Sequence, residues 1–92
     1  MHETGIVRDL VQRLLQAARD AGARRVSGVS VWLGALSQFS PRHFREHFDD
    51  EARGTVAEGA ALHIEISDDV ADSNAQHVVL RSVDLDVDEG AA

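Results

Sequence analysis

The sequence predicts an α+β domain, two helices packed on one three-stranded β-sheet in the order α-β-α-β-β. Three observations lead there. Apolar residues recur at three- and four-residue spacing over the opening stretch, as one buried face of a helix requires. Three later segments alternate apolar with polar residues, the period of half-buried strands. Between the first two of these lies Ser40-Pro41, a helix opening in which a hydroxyl caps the first turn and a proline occupies a position whose N–H has no intrahelical use.

The first helix is expected over residues 4–21. Val7, Leu10, Val11, Leu14, Ala18 and Ala21 form its apolar stripe, widened by Ile6 and Leu15, with Arg8, Asp9, Gln12, Arg13, Gln16, Arg19 and Asp20 opposite. Thr4 is placed to cap it, Glu3 lies near the positive end of its dipole, and Gly22 supplies the stop. A strand follows at about 25–33, where Val29, Val31 and Leu33 alternate with Ser30 and Trp32 before Gly34 ends it. The second helix runs from Pro41 to about Arg53 with Phe44, Phe48 and Ala52 on one face. It is short and highly charged, so it needs that face to pack.

Leu62, Ile64 and Ile66 alternate with His63 and Glu65 in a second strand. Residues 67–76 are polar and aperiodic and read as a turn or flexible connection. The last strand covers about 77–87, with Val79, Val83, Leu85 and Val87 on one parity and Arg81 interrupting it. Strands two and three are expected to pair as a hairpin. The tail, residues 88–92, has no reason to order.

Composition narrows the function. A chain of 92 residues reads as one domain with a modest core, filled by only four aromatics, Trp32, Phe39, Phe44 and Phe48. No cysteine occurs, which removes disulfides, thiolate metal sites and thiol nucleophiles and fits a reducing cytoplasm. A formal net charge of -7 argues against nucleic acid, whose phosphates need a basic surface. No run of about 18 or more apolar residues is present to span a membrane, and the start lacks the basic and apolar regions of a signal peptide.

The N-terminus, Met1-His2-Glu3, carries specific coordination chemistry. The α-amine of Met1, the deprotonated amide nitrogen of His2 and the near nitrogen of its imidazole can close adjacent small chelate rings. A planar all-nitrogen array of this kind suits Ni²⁺ or Cu²⁺ better than Zn²⁺, which prefers tetrahedral geometry. The array requires that Met1 be retained, and protons compete at every donor. The same three residues are also what an ordinary flexible terminus looks like.

Other candidates are weaker. His43 and His47 lie four apart on the second helix and, with Asp50 or Glu51, could form an auxiliary metal site, although a solvated face explains them as well. His63 and His77 could approach each other if their strands pair. Asp84, Asp86, Asp88 and Glu89 lack the turn glycine and ligand order of a calcium loop. Ser27, Ser30 and Ser37 have no histidine placed by a recognisable motif, and there is no phosphate-binding glycine loop, so nothing points to an enzyme.

Collinear segments across residues 1–87 carry a family resemblance. They are Met1-His2-Glu3, Ile6-Val7-Arg8, Gly22-Ala23-Arg24-Arg25-Val26, Leu33-Gly34-Ala35-Leu36-Ser37, Ser40-Pro41, the run from Arg53 to Ala60, Leu62 to Ile66, and Leu80 to Val87. In these the chain resembles the HypA/HybF family of hydrogenase nickel-insertion proteins. The resemblance implies a nickel metallochaperone that works with a partner GTPase, delivers Ni(II) to the large subunit of nickel-iron hydrogenase and in some bacteria supports urease. It implies Met1, His2 and Glu3 as the nickel site. Family members carry a zinc domain built on paired Cys-x-x-Cys motifs between the second and last strands. Here residues 67–76 take that place without a cysteine, so no zinc is expected. Ala35 stands where the family usually has an acidic residue and Ser40 where some members present a carboxylate near the nickel site, so weaker nickel binding or the loss of an extra ligand is expected. The alternative reading is a protein-interaction module in the same pathway that no longer binds metal. A free sheet edge would allow a strand-mediated homodimer.

Overall fold

The first helix, α1, spans Glu3–Asp20. The computed structural model describes residues 3–87, with side chains from Gly5 onward. Val7, Leu10, Val11, Leu14, Leu15 and Ala18 of α1 are buried, and the charged residues between them face water. The expected stripe is present up to Ala18, while Ala21 is exposed beyond the last turn. Because the helix already begins at Glu3, Thr4 stands inside its first turn and is not the cap. Gly22 ends it in the left-handed conformation (φ 68°), and its N–H donates to the Arg19 carbonyl at 3.1 Å. A residue with a Cβ enters that conformation only at a cost.

The chain then reverses into β1 (Ala23–Leu33). Val26, Val29, Val31 and Leu33 face the helices. The second helix, α2 (Pro41–Ala52), opens as its sequence requires: the Ser40 hydroxyl accepts from the His43 N–H at 3.1 Å and Pro41 follows at the first helical position. Its buried face is Phe44, Phe48 and Ala52. Phe44 meets Phe39 edge-on with ring centroids 5.5 Å apart and stacks on Phe48 at 6.4 Å. Both geometries add to the burial of the rings. Arg8 of α1 reaches Glu51 of α2 at 3.3 Å, an exposed pair that contributes little.

From α2 the chain returns as β2 (Ala61–Ile66), parallel to β1, with Val29 beside Leu62 and Val31 beside Ile64. A parallel neighbour needs a crossover element, and α2 is that element. The last strand, β3 (Val78–Val87), lies antiparallel on the other edge of β1, giving the sheet order β2-β1-β3. The expected hairpin between strands two and three is therefore not formed. With β2 placed by the crossover on one edge of β1, the connection carries the chain past the end of β1 to its vacant edge.

That crossing explains Gly34. The Ser67 N–H donates to the Leu33 carbonyl at 2.9 Å, Leu36 N–H to Ala75 at 2.7 Å and Gly34 N–H to His77 at 2.9 Å. A Cβ on Gly34 would run into the Ala75 carbonyl and lie 2.7 Å from that of Asn74. Asp69 and Asp72 accept from the N–H groups two residues on, and Ala75 is buried. The polar stretch is thus a chain of side-chain-closed turns packed on the end of β1.

The parity of β3 also differs from the expectation. Val78, Leu80, Val83 and Leu85 pack against the core, whereas Val79 faces away from it beside Trp32, and Val87 is exposed. Ser30 pairs with Ser82 and Val31 with Leu80, so Arg81 is the extra residue of a bulge. An inserted residue flips the alternation, which keeps an even-numbered and then an odd-numbered apolar set on one face. Residues 88–92, expected as a tail, lie outside the described residues.

Two substitutions test this architecture. Phe44→Ala should lower unfolding free energy by about 3–5 kcal/mol, seen as a lower urea midpoint with an unchanged slope. Gly34→Ala should cost about 1–3 kcal/mol although it adds a single methyl group, and the same denaturation measurement reads it. A Gly34→Ala protein as stable as wild type would show that the crossing is looser than described.

Candidate metal centre

The expected nickel ligands stand at the start of α1. Met1 and His2 lie outside the described residues, and Glu3 is described by its backbone as the first residue of the helix. The first four N–H groups of a helix have no intrahelical acceptor. A metal that displaces an amide proton at this end of the chain therefore breaks no helical hydrogen bond, and the positive end of the dipole favours the resulting anionic nitrogen.

Topology sets what surrounds this end. α1 runs antiparallel to β1 through the turn at Gly22, and β3 is antiparallel to β1, so α1 and β3 start at the same end of the molecule. Gly5, Ile6 and Asp9 line one open groove with Asn74, His77, Val78 and Leu80. Asp9 is held by Arg13 at 3.0 Å. His77 precedes β3, its N–H donates to the Asn74 carbonyl at 2.8 Å, and its side chain is exposed.

The other histidines are dispersed. His63 is exposed on β2, which is separated from β3 by the whole of β1, so His63 and His77 do not approach as a paired hairpin would bring them. His43 is exposed and His47 half-buried on α2. Their expected helpers are engaged elsewhere: Asp50 pairs with Arg53 at 3.0 Å and Glu51 with Arg8. Among the described residues, no group of three or more His, Asp or Glu side chains is arranged to hold a metal ion. Of the C-terminal acids, Asp84 and Asp86 lie on β3 while Asp88 and Glu89 are outside the described residues. The Ser27 hydroxyl donates to the Asp84 carbonyl at 3.2 Å and so serves the sheet.

Residues 1–82 match the family described as hydrogenase/urease nickel incorporation, metallochaperone, HypA. The chain belongs to the HypA family. The hydrogenase maturation factor HybF of Salmonella typhimurium is 40% identical over 65 residues, covering 71% of this chain and 58% of that protein. The hydrogenase maturation factor HypA of Acidithiobacillus ferrooxidans is 38% identical over 64 residues, covering 70% and 57%. The match to these curated relatives thus spans well under two thirds of their length. The solution structure of the Ni metallochaperone HypA from Helicobacter pylori aligns with a TM-score of 0.77 over 95% of this chain and 99% of that one, at 17% identity. At that identity the likeness establishes a shared fold. Among the described residues, no helix of this HypA-family chain is long and apolar enough to cross a membrane.

The sheet face away from the helices carries a contact that sequence reading did not anticipate. The Arg81 guanidinium lies 5.8 Å from the centroid of the Trp32 ring, and Trp32 is only 8% exposed although no helix covers it. Alternation alone placed Trp32 on a mixed face, and Arg81 showed only as an interruption of the last strand's parity, which does not say that it lies over the ring. Arg81→Ala should cost about 0.5–1 kcal/mol and shift Trp32 fluorescence to the red. Trp32 is the one tryptophan of the chain, so the emission reports the surroundings of this ring without interference from another.

Proposed function

We propose that this chain is a nickel metallochaperone that binds Ni(II) at its own N-terminus and helps deliver it to a nickel-iron hydrogenase, with urease as a second candidate target. The observation that carries the reading is the family match over residues 1–82, which includes the terminal Met1-His2-Glu3. The start of α1 at Glu3 supports it, since donors placed before the helix are free of its hydrogen-bond ladder.

The nickel ion is the cargo. The amine of Met1, the amide nitrogen and the imidazole of His2 supply three nitrogen donors, with Glu3 adjoining through its backbone nitrogen or its carboxylate. Such a set favours planar Ni(II) over tetrahedral Zn(II). A chelate of this kind can surrender its ion by ligand exchange when the protein docks on an acceptor. The hydrogenase large subunit is the acceptor in this reading, a maturation GTPase is the second partner, the setting is the cytoplasm, and no catalytic step is assigned to the chain itself. Residues 67–76 stand where the family's zinc domain would be inserted, and without cysteine these 92 residues offer zinc no thiolate. The open edges of β2 and β3 are available for a homodimer.

One observation favours a second reading, an interaction module that no longer carries metal. Leu36 and Val70, respectively 45% and 65% exposed, line one shallow depression at the end of the sheet. Exposed apolar residues that adjoin are a common mark of a docking surface.

Nickel titration decides between the two. Wild-type protein should take up one Ni(II) with a visible band of a planar complex, and His2→Ala or acetylation of the α-amine should abolish that band. Uptake should weaken as pH falls, because protons compete for each nitrogen. Equal binding by wild type and His2→Ala would defeat the terminal site.

A further inference from the structure

We propose that two copies of this chain pair edge to edge through β2, antiparallel and centred on Ile64, so that their sheets join into one. The inference rests on the homodimer in the reading above, narrows it to one edge and one register, and uses nothing of the nickel site.

The backbone of β2 shows which groups are free. Successive residues of a strand turn their polar groups to opposite sides. The Ser67 N–H donates to the Leu33 carbonyl, and Leu33 stands beside Ile66 in the parallel register, so the odd-numbered residues serve β1. Leu62, Ile64 and Ile66 therefore direct their N–H and C=O groups away from the sheet. The Arg45 guanidinium agrees with this direction, since it reaches the Leu62 carbonyl at 3.1 Å and leaves that oxygen a second lone pair. β2 pairs with β1 without a register shift, so its free edge is regular. The edge of β3 is not. Its pairing is interrupted, with Arg81 as an extra residue, and self-pairing about Leu85 would set Asp84 against Asp86. Bulges and like charges protect an edge from addition.

Charge then selects the register. Only even-numbered residues can exchange hydrogen bonds across the seam. Centred on Ile64, that residue exchanges two with its counterpart, and Leu62 exchanges two with Ile66 of the second copy at each end. His63 stands opposite Glu65 of the second copy twice, on the face away from the helices, and both side chains are exposed. Residues directly opposite have Cβ atoms about 4.5–5.5 Å apart, within reach of an imidazole–carboxylate pair. A seam centred on His63 would oppose that residue to itself, and one centred on Glu65 would oppose two carboxylates. On the helix face Ile66, 59% exposed, comes against Leu62 of the second copy and loses its contact with water.

Sedimentation velocity of the metal-free full chain over a concentration series is the test. A seam of six-residue strands is a small interface, so the dimer should be weak and emerge toward millimolar protein. His63→Glu and Glu65→Lys should each weaken it about tenfold, the second although it lowers the net negative charge. Mixing these two variants should restore association, because each supplies the charge that the other lacks. Ile66→Pro should abolish the dimer, since the N–H it removes faces away from β1 and proline is tolerated on an edge strand. Val87→Ser, on β3, should change nothing. Far-UV circular dichroism and a urea midpoint equal to wild type, measured on dilute protein, show that a variant is folded. A chain that stays monomeric at millimolar concentration overturns the proposal, as does a dimer that survives Ile66→Pro and both charge variants. Either failure leaves the nickel reading untouched, and loss of nickel uptake in His2→Ala leaves the dimer untouched.

Discussion

The central position of β1 is the constraint on which the rest of this fold depends. A strand paired on both edges and covered by helices on one face must be apolar on that face, and Val26, Val29, Val31 and Leu33 meet the demand. Because α2 returns the chain as a parallel neighbour, β2 takes one edge of β1 and leaves the other for β3. The connection between β2 and β3 must then cross the end of the central strand, and Gly34 lets it pass in backbone contact. The core, the crossing and the shared end of α1 and β3 all follow from that single placement.

The same placement arranges the functional end. A helix antiparallel to β1 and a strand antiparallel to β1 begin side by side, which gathers the first turns of α1, the end of the crossing and His77 around one groove. Residues far apart in sequence meet there without any long loop. At that end the helix has unused N–H groups and the backbone is braced by the turns at Asp69 and Asp72. The opposite face of the sheet is closed in a different way, by Arg81 lying over Trp32, so a large ring is shielded without a third layer.

Membership of the HypA family joins this fold to nickel incorporation, and the proposed terminal chelate is the part of the reading most legible in sequence because its donors are local. Amine, amide and imidazole come from adjacent residues, so the proposed donor set can be read from Met1-His2 without any fold. His43 and His47 show the limit of such reading. Their helical spacing is suggestive, yet Arg53 and Arg8 hold the carboxylates that would have completed a site. Charge partners three-dimensionally nearby decide what a spacing can do.

By itself the sequence determined the elements. Periodicity located both helices and all three strands within a few residues, Ser40-Pro41 marked the start of α2, and the lack of cysteine removed thiolate chemistry. These depend on local propensity and on alternation, which short windows carry. Only the tertiary structure decided that β1 is central, that β2 and β3 lie on opposite edges, and that the bulge at Arg81 turns Leu80 inward and Val79 outward. Strand pairing is a competition among distant segments with similar patterns, and a bulge shifts parity by one residue without changing composition. The physical reason is the same in each case: what one element does was written locally, and which neighbour it met was settled by the packing of the whole core.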